Sequence, residues 1–122
     1  MSKTRKADDP DSICAGRWAS RVKDADDGEI EINVDDDGKI GGTHHKKKKP
    51  IAGKCDDKPQ DHRISFVVKT DDGCKYTYKG VIGFFRIPGV PPFFGIIGKV
   101  NKKCPNQLLA PGDDDWVGTK GT

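Results

Sequence analysis

Residues 29–34 read Glu-Ile-Glu-Ile-Asn-Val, and the turn sequence Asp-Asp-Asp-Gly follows at residues 35–38. The first six residues alternate strictly between polar and apolar side chains. Because successive side chains of a β-strand point to opposite faces, this pattern places the three apolar residues on one buried face. The Asp-Gly pair that ends the stretch is typical of a type I′ hairpin turn. The stretch therefore predicts a half-buried antiparallel strand that turns directly into its neighbour.

Strand-forming runs and Asp-Gly pairs also occur before and after this stretch. Two further Asp-Gly pairs, at residues 27–28 and 72–73, predict further type I′ hairpins. Short runs rich in β-branched and aromatic residues predict more strands, and no run has helical periodicity. The predicted strands cover residues 16–22, 29–34, 39–43, 51–55, 64–68, 76–82, 95–100, 107–110 and 116–119. The fold class is therefore all-β, a meander that either closes as a barrel or folds over as a sandwich.

Length and composition indicate one small domain. The chain has 122 residues, of which 33% are hydrophobic and 34% are charged. Residues 1–11 are polar and are predicted to be a disordered lead-in, and residues 12–122 form the single domain. The net charge of +3 is too small for the overall basic footprint of a dedicated nucleic-acid binder. No apolar run approaches the length of a membrane-spanning helix, so the sequence predicts a soluble protein.

The four cysteines are Cys14, Cys55, Cys74 and Cys104. They lie far apart and form no C-x-x-C pair, which excludes a zinc ribbon and a thioredoxin-type redox motif. Two disulfides in any of three connectivities fit this spacing, and so do four thiols in a cytosolic protein. Disulfides would favour a secreted protein and would stabilise a small core. The N-terminus shows no hydrophobic signal-peptide segment, so the sequence leaves the localisation open.

Short motifs follow one another along the chain in an informative order. They are Gly16-Arg17-Trp18, Asp37-Gly38-Lys39-Ile40-Gly41-Gly42-Thr43-His44, Pro50-Ile51-Ala52-Gly53-Lys54, Tyr76-Thr77-Tyr78-Lys79-Gly80, Gln107-Leu108-Leu109 and Gly112 to Trp116 with Thr119. In this order they resemble the strand motifs of the avidin and streptavidin family of biotin-binding barrels. The resemblance spans residues 13–119 and implies an antiparallel up-and-down β-barrel of about eight short strands, with a ligand pocket at one open end.

The resemblance also implies which residues line the pocket. They are Trp18, Ser20, Val22, His44, Phe66, Tyr78 and, from a neighbouring subunit, Trp116. Ser20 stands where the family has Asn, and His44 stands where it has Tyr. Each hydrogen bond lost to a buried ligand costs about 1–3 kcal/mol, so the resemblance implies weakened binding of biotin or of a biotin-like or anionic ligand. It further implies a homo-oligomer, a dimer or a tetramer, without a cofactor.

The sharpest local charge lies in residues 44–50, which read His-His-Lys-Lys-Lys-Lys-Pro and are called the basic loop below. The resemblance places this loop where the family has a lid over the ligand. Its lysines form a candidate anion-binding loop, which would close over a carboxylate, phosphate or sulfate, or dock on nucleic acid or an anionic surface. They are Lys46, Lys47, Lys48 and Lys49. A solvated loop whose lysines protect an exposed strand edge is the alternative.

Residues 84–94, called the Phe/Pro segment below, read Phe-Phe-Arg-Ile-Pro-Gly-Val-Pro-Pro-Phe-Phe. Each proline removes a backbone hydrogen-bond donor, so the segment is not predicted to be an internal strand. Two roles remain open. The segment is either an exposed apolar patch that contacts a partner, or an irregular loop that packs its own phenylalanines over the barrel end.

No catalytic or metal site is predicted. The adjacent histidines His44 and His45 would point to opposite faces of an extended segment, and no nucleophile-elbow, P-loop or H-E-x-x-H pattern occurs. We therefore expect a non-enzymatic protein. The first functional hypothesis is a small-ligand-binding barrel. The second is a protein-interaction or anionic-surface-binding module that uses the basic loop and the Phe/Pro segment.

Overall fold

The computed structural model describes residues 4–5, 13–23, 25–58, 61–105 and 112–120, and these residues form an all-β fold. Among the described residues there is no helix long and apolar enough to cross a membrane. The strands are β1 (Thr4–Arg5), β2 (Gly16–Val22), β3 (Ala25–Asp35), β4 (Lys39–His44), β5 (Lys49–Lys58), β6 (Asp61–Lys69), β7 (Lys75–Phe85), β8 (Phe93–Lys103) and β9 (Asp113–Lys120).

The strands close into a barrel. Hydrogen bonding runs in the order β3-β2-β9-β8-β7-β6-β5-β4, and β4 pairs with β3 again to complete the ring. Every pairing in this ring is antiparallel. Each joins two strands that are consecutive in sequence, except the pairing of β2 with β9, which joins the two ends of the meander. The closed eight-stranded up-and-down barrel therefore confirms the predicted fold class. The two-residue strand β1 adds to β3 outside this ring.

The predicted strands are found, and most of them are longer than predicted. The alternation over residues 16–22 matches the bounds of β2. The strands β7 and β8 extend well beyond the predicted 76–82 and 95–100, because the phenylalanines at both ends of the Phe/Pro segment continue the ladder as far as the pair Phe85 and Phe93. The prediction that the whole segment interrupts the sheet is therefore wrong at its ends. The strand predicted over 107–110 lies outside the described residues.

The predicted type I′ turns are wrong at all three Asp-Gly pairs. Strand β2 ends at Val22 and β3 begins at Ala25, so the pair at residues 27–28 lies inside β3. At the other two pairs only the glycine has a positive φ, 83° at Gly38 and 84° at Gly73, whereas a type I′ turn needs positive φ at both central residues. Each of these glycines donates its amide to the carbonyl three residues earlier, which gives longer loops that end in a left-handed glycine.

The two ends of the barrel differ in character. The up-and-down topology brings the basic loop and the loop at residues 70–74 to one end, which we call the lysine end. It brings the turn at residues 36–38 and the loop at residues 86–92 to the other end, which we call the hairpin end. The second functional hypothesis used the basic loop and the Phe/Pro segment together. Because they lie at opposite ends, one flat surface cannot contact both.

Two disulfides stabilise this barrel. Cys14 precedes β2 and bonds to Cys55 in β5, a strand that does not neighbour β2, so the chain before β2 reaches across the hairpin end. Cys14 and Ala15 are fully buried there as part of the core. Cys74 bonds to Cys104 at the lysine end and links the loops that precede β7 and follow β8. No cysteine remains free, and one of the three connectivities is thereby selected.

Replacing Cys14 and Cys55 together with Ala should lower the free energy of unfolding by about 3–4 kcal/mol, because the bridge restricts the unfolded chain. The bridges span 41 and 30 residues, so the matched variant with Cys74 and Cys104 replaced by Ala should lose a similar amount. Equilibrium urea denaturation measures both losses. A loss below about 1 kcal/mol for either pair would contradict this account of the bridges.

Candidate functional site

A cluster of buried polar side chains lies inside the lysine end of the barrel. It joins five strands and consists of Ser20 on β2, Asp27 on β3, His44 on β4, Tyr78 on β7 and Trp116 on β9. Ser20, His44, Tyr78 and Trp116 are at most 1% exposed. A buried polar group costs free energy unless it is hydrogen-bonded, so the partners of these side chains determine what the cluster can do.

A β-bulge directs Asp27 into this cluster. The register between β2 and β3 pairs Ser20 with Gly28 and Arg21 with Asp26, which leaves Asp27 as the extra residue. Without the bulge, the alternation of β3 would place Asp27 on the outer face together with Glu29. Gly28 has a φ of 85°, which favours glycine, and a side chain there would meet the Cβ of Lys46 at 2.6 Å.

Three hydrogen-bond donors converge on a single oxygen atom, Oδ2 of Asp27. The hydroxyl of Tyr78 donates at 2.8 Å, the hydroxyl of Ser20 at 2.9 Å and Nε2 of His44 at 3.0 Å. The indole N–H of Trp116 in turn donates to Oγ of Ser20 at 2.9 Å, so the Ser20 hydroxyl is used both as a donor and as an acceptor. The cluster is therefore a fully connected network built around one carboxylate oxygen.

The backbone defines the tautomer of His44. The amide of Lys47 donates to Nδ1 of His44 at 3.2 Å, so Nδ1 acts as an acceptor. The ring proton then lies on Nε2, where it is donated to Asp27. The Tyr78 hydroxyl lies 3.2 Å from the same nitrogen. The basic loop thus orients the imidazole through its main chain as well as carrying the lysines.

Hydrogen bonding keeps Asp27 ionised in spite of its burial. Burial alone would raise the pKa of this carboxyl, but the hydrogen bonds from His44, Tyr78 and Ser20 outweigh that effect and lower the pKa below 3.8. For Tyr78, burial and the neighbouring Asp27 carboxylate raise the pKa far above its ordinary value. Tyr78 is consequently a neutral donor, and Asp27 is an acceptor with a full negative charge.

Aromatic rings fill the barrel behind the network. The rings of Phe66 and Tyr78 stack with centroids 4.8 Å apart, and Trp116 meets both edge-on at 5.6 and 5.1 Å. Phe66 and Tyr78 are fully buried. These rings contact one another directly, so a ligand near Asp27 would lie on the lysine-end side of the aromatic cluster.

The basic loop folds over the network and is paired with carboxylates and carbonyls of the barrel. The Nζ atom of Lys47 lies 3.8 Å from Oδ1 of Asp27 and 4.1 Å from the ring centre of Tyr76. Lys46 donates to the carbonyl of Asp26 at 2.8 Å, and Lys49 forms an ion pair with Asp71. The loop therefore covers this end of the barrel, as a lid would.

The residues predicted to line a pocket all lie on the inner wall, but they do not form one site. Ser20, His44, Phe66, Tyr78 and Trp116 belong to the Asp27 network or to the rings behind it. Val22 is half-buried against the core. Trp18 donates its indole N–H to the carbonyl of Cys14 at the hairpin end.

Two features of the site differ from the sequence-based expectation. Trp116 is buried inside its own barrel and does not project toward a second subunit. Asp27, the centre of the network, was not predicted as a site residue at all. Its sequence neighbourhood is typical of a turn, and the alternation of β3 assigns it to the outer face. The one indication of a bulge in the sequence is Gly28, which follows Asp27, because glycine is enriched at β-bulges.

Asp27→Ala should lower the free energy of unfolding by about 2–4 kcal/mol, because three buried donors lose their acceptor at once. Asp71→Ala is the matched control at the same end of the barrel, since the Asp71 side chain is 90% exposed and a surface ion pair contributes at most about 1 kcal/mol. Urea denaturation at neutral pH measures both. Equal losses in the two variants would show that the network contributes no special stability.

The contribution of Asp27 should also depend on pH. Because the folded state lowers its pKa below 3.8, the stabilisation is fully present above that value and is lost as the pH falls through the folded pKa. The stability difference between the native chain and the isosteric Asp27→Asn variant should therefore be constant near neutral pH and shrink in acid. Urea denaturation across this pH range measures the difference. A difference that grows as the pH falls would contradict the lowered pKa.

No family model matches the chain, and no curated protein or solved structure matches it either. The resemblance to avidin-type barrels therefore stays a prediction from the order of the motifs, whereas the closed barrel follows from the observed strand pairing. Function has to be inferred from the geometry around Asp27.

Proposed function

We propose that the protein is a non-enzymatic barrel that binds a small ligand through a ligand oxygen atom at the Asp27 site. The observation that carries this proposal is the convergence of three donors, from Tyr78, Ser20 and His44, on one partly buried oxygen. A cradle of donors on three different strands is rigid, and rigid donors recognise an oxygen atom at low entropic cost.

The chemistry of the ligand follows from what occupies the cradle. A carboxylate oxygen of Asp27 fits it, so a carboxylate, urea or amide oxygen of a ligand would fit as well. Such an oxygen would bind in exchange for Asp27, which lies at the mouth of the barrel with 11% of its side chain exposed. Lys47, whose Nζ is already 3.8 Å from Oδ1 of Asp27, would neutralise the displaced carboxylate or an anionic ligand.

Biotin is one molecule of this class, because it carries both a ureido oxygen and a carboxylate. Its ring system would not be held between two aromatic walls here, since Phe66 and Tyr78 stack on each other. It would lie between these rings and the basic loop, and the loop would have to open. This arrangement supports weaker binding than the resemblance to the avidin family alone would imply. The dimer or tetramer implied by that resemblance stays a prediction, which light scattering during gel filtration measures.

Asp27→Ala should bind biotin or pentanoate at least about tenfold more tightly than the native chain, because the internal competitor for the three donors is removed. Pentanoate carries only the carboxylate, so comparing the two probes separates the two kinds of oxygen. The intrinsic fluorescence of Trp116, which hydrogen-bonds to the network, and the thermal shift of each variant report binding.

Two variants control this experiment. Tyr78→Phe in the Asp27→Ala background removes one donor and should weaken binding by about tenfold. Asp115→Ala removes an exposed carboxylate at the same end that pairs with Lys99 and not with the basic loop, so it should change nothing. If Asp27→Ala remains folded by circular dichroism and binds neither probe at millimolar concentration, the proposed function is wrong.

A further inference from the structure

The Phe/Pro segment forms a hairpin whose apolar side chains face solvent. Among the described residues, the exposed large hydrophobic side chains all belong to this hairpin and its base: Phe84 at 63%, Val90 at 47%, Val81 at 43%, Ile87 at 41% and Phe94 at 38%. Several exposed large apolar side chains on one hairpin are typical of a contact with a partner or a membrane. None of these five side chains belongs to the buried core cluster, so packing among the described residues does not account for them.

The register explains why these phenylalanines are outside the core. Tyr78 and Ile82 of β7 are buried inside the barrel, and Phe84 continues the same face two residues further along. Phe84 pairs with Phe94 of β8 at the rim, where residues 13–15 already close the barrel end. The two rings therefore extend past the last layer of the core. The next pair, Phe85 and Phe93, packs ring against ring at 5.8 Å.

The tip of the hairpin has few backbone groups that need water. Pro88, Pro91 and Pro92 carry no N–H, and the amide of Val90 donates to the carbonyl of Ile87 at 3.0 Å. Gly89 has a φ of 81°, so the tip is a rigid Pro-Gly turn of type II. Each unsatisfied backbone donor costs free energy in an apolar medium, and this loop presents fewer donors than an ordinary loop of its length.

Within the hairpin itself the charge has one sign, and the neighbouring strand β6 begins with Asp61 at the same end. Arg86 is the only charged residue between Gly80 and Gly98. At the base, Lys120 is exposed, with its Nζ atom 5.5 Å from the ring of Trp18, which in turn lies 6.4 Å from Phe94. The acidic turn with Asp36 and Asp37 belongs to the same end but joins β3 to β4, on the opposite side of the ring of strands.

We propose that the hairpin end docks on the surface of an anionic phospholipid bilayer. Phe84, Ile87, Val90 and Phe94 enter the interfacial region, while Arg86 and Lys120 contact lipid phosphates. The barrel tilts toward the β7–β8 hairpin in this arrangement, so the acidic turn on the opposite side of the same end lies farther from the lipid phosphates. The site at Asp27 is at the other end, so this inference is independent of the proposed ligand.

A second copy of the chain is a weaker candidate for this surface. Two-fold pairing of the tips would bring Arg86 close to its own symmetry mate, and like charges at an interface are unfavourable. A lipid surface with anionic phosphates meets the same arginine with the opposite charge. The charge of the tip therefore favours the bilayer over self-association.

Flotation of the disulfide-bonded protein with vesicles tests the proposal. The native chain should bind vesicles of phosphatidylcholine with about 30% phosphatidylserine and bind pure phosphatidylcholine at least about fivefold less. The double variant Phe84→Ser/Phe94→Ser should lose binding at least about tenfold, because two apolar anchors are removed from exposed positions. Arg86→Ser should lower binding to the anionic vesicles, whereas Lys69→Ser, an exposed position at the opposite end and outside the basic loop, should leave it unchanged.

A spectroscopic measurement gives the orientation. Brominated lipids should quench the emission of Trp18, because its ring is 6.4 Å from Phe94, and the double variant should not be quenched. Thermal unfolding should show that the double variant still unfolds cooperatively and is folded at the temperature of the flotation assay. Equal vesicle binding by the double variant would overturn the proposal. So would a native dimer that becomes monomeric in the double variant while no vesicle binding is seen.

Discussion

The hydrogen bonds to Oδ2 of Asp27 are the interaction on which the lysine end of the barrel depends. They join β3 to β2, β4 and β7, and Trp116 adds β9 through Ser20. A carboxylate inside a barrel is costly unless it is hydrogen-bonded, and here three donors at 2.8 to 3.0 Å compensate its lost hydration. The same bonds hold the side chains of Ser20, His44 and Tyr78 in single positions. The stability of this end and the proposed recognition of a ligand oxygen thus have a common origin.

The network also explains the role of the basic loop. Four consecutive lysines repel one another in isolation, yet Lys46, Lys47 and Lys49 each find a partner on the barrel rim. Lys47 approaches Oδ1, the other carboxylate oxygen of Asp27, and the backbone amide of Lys47 sets the tautomer of His44. A ligand that exchanged with Asp27 would therefore alter the loop and the network together. Opening of the loop to admit the ligand would then be coupled to hydrogen bonding of the ligand oxygen.

The two ends of the barrel are specialised in different ways. The lysine end buries a charge beneath a basic lid, and the hairpin end is sealed by the chain around Cys14 and its bridge to Cys55. Beyond that seal the β7–β8 hairpin continues and presents apolar rings to solvent. The proposed ligand site and the proposed membrane contact therefore lie at opposite ends, and the closed ring of strands separates them.

The sequence by itself determined the local structure. This includes the alternation around Ile30, the hydrophobic and polar sides of β2, and the glycines at the loops. These features depend on interactions between residues that are close in sequence, so they can be inferred without the fold. The resemblance of the sequence motifs to the avidin family also predicted that Ser20, His44, Phe66 and Tyr78 face one interior. Only the tertiary structure decided that Asp27 points inward, since one bulge reverses the alternation that the sequence predicts. The tertiary structure alone decided which cysteines pair. It also decided that the basic loop and the Phe/Pro hairpin lie at opposite ends. Both relations depend on how strands that are distant in sequence are joined around the closed ring.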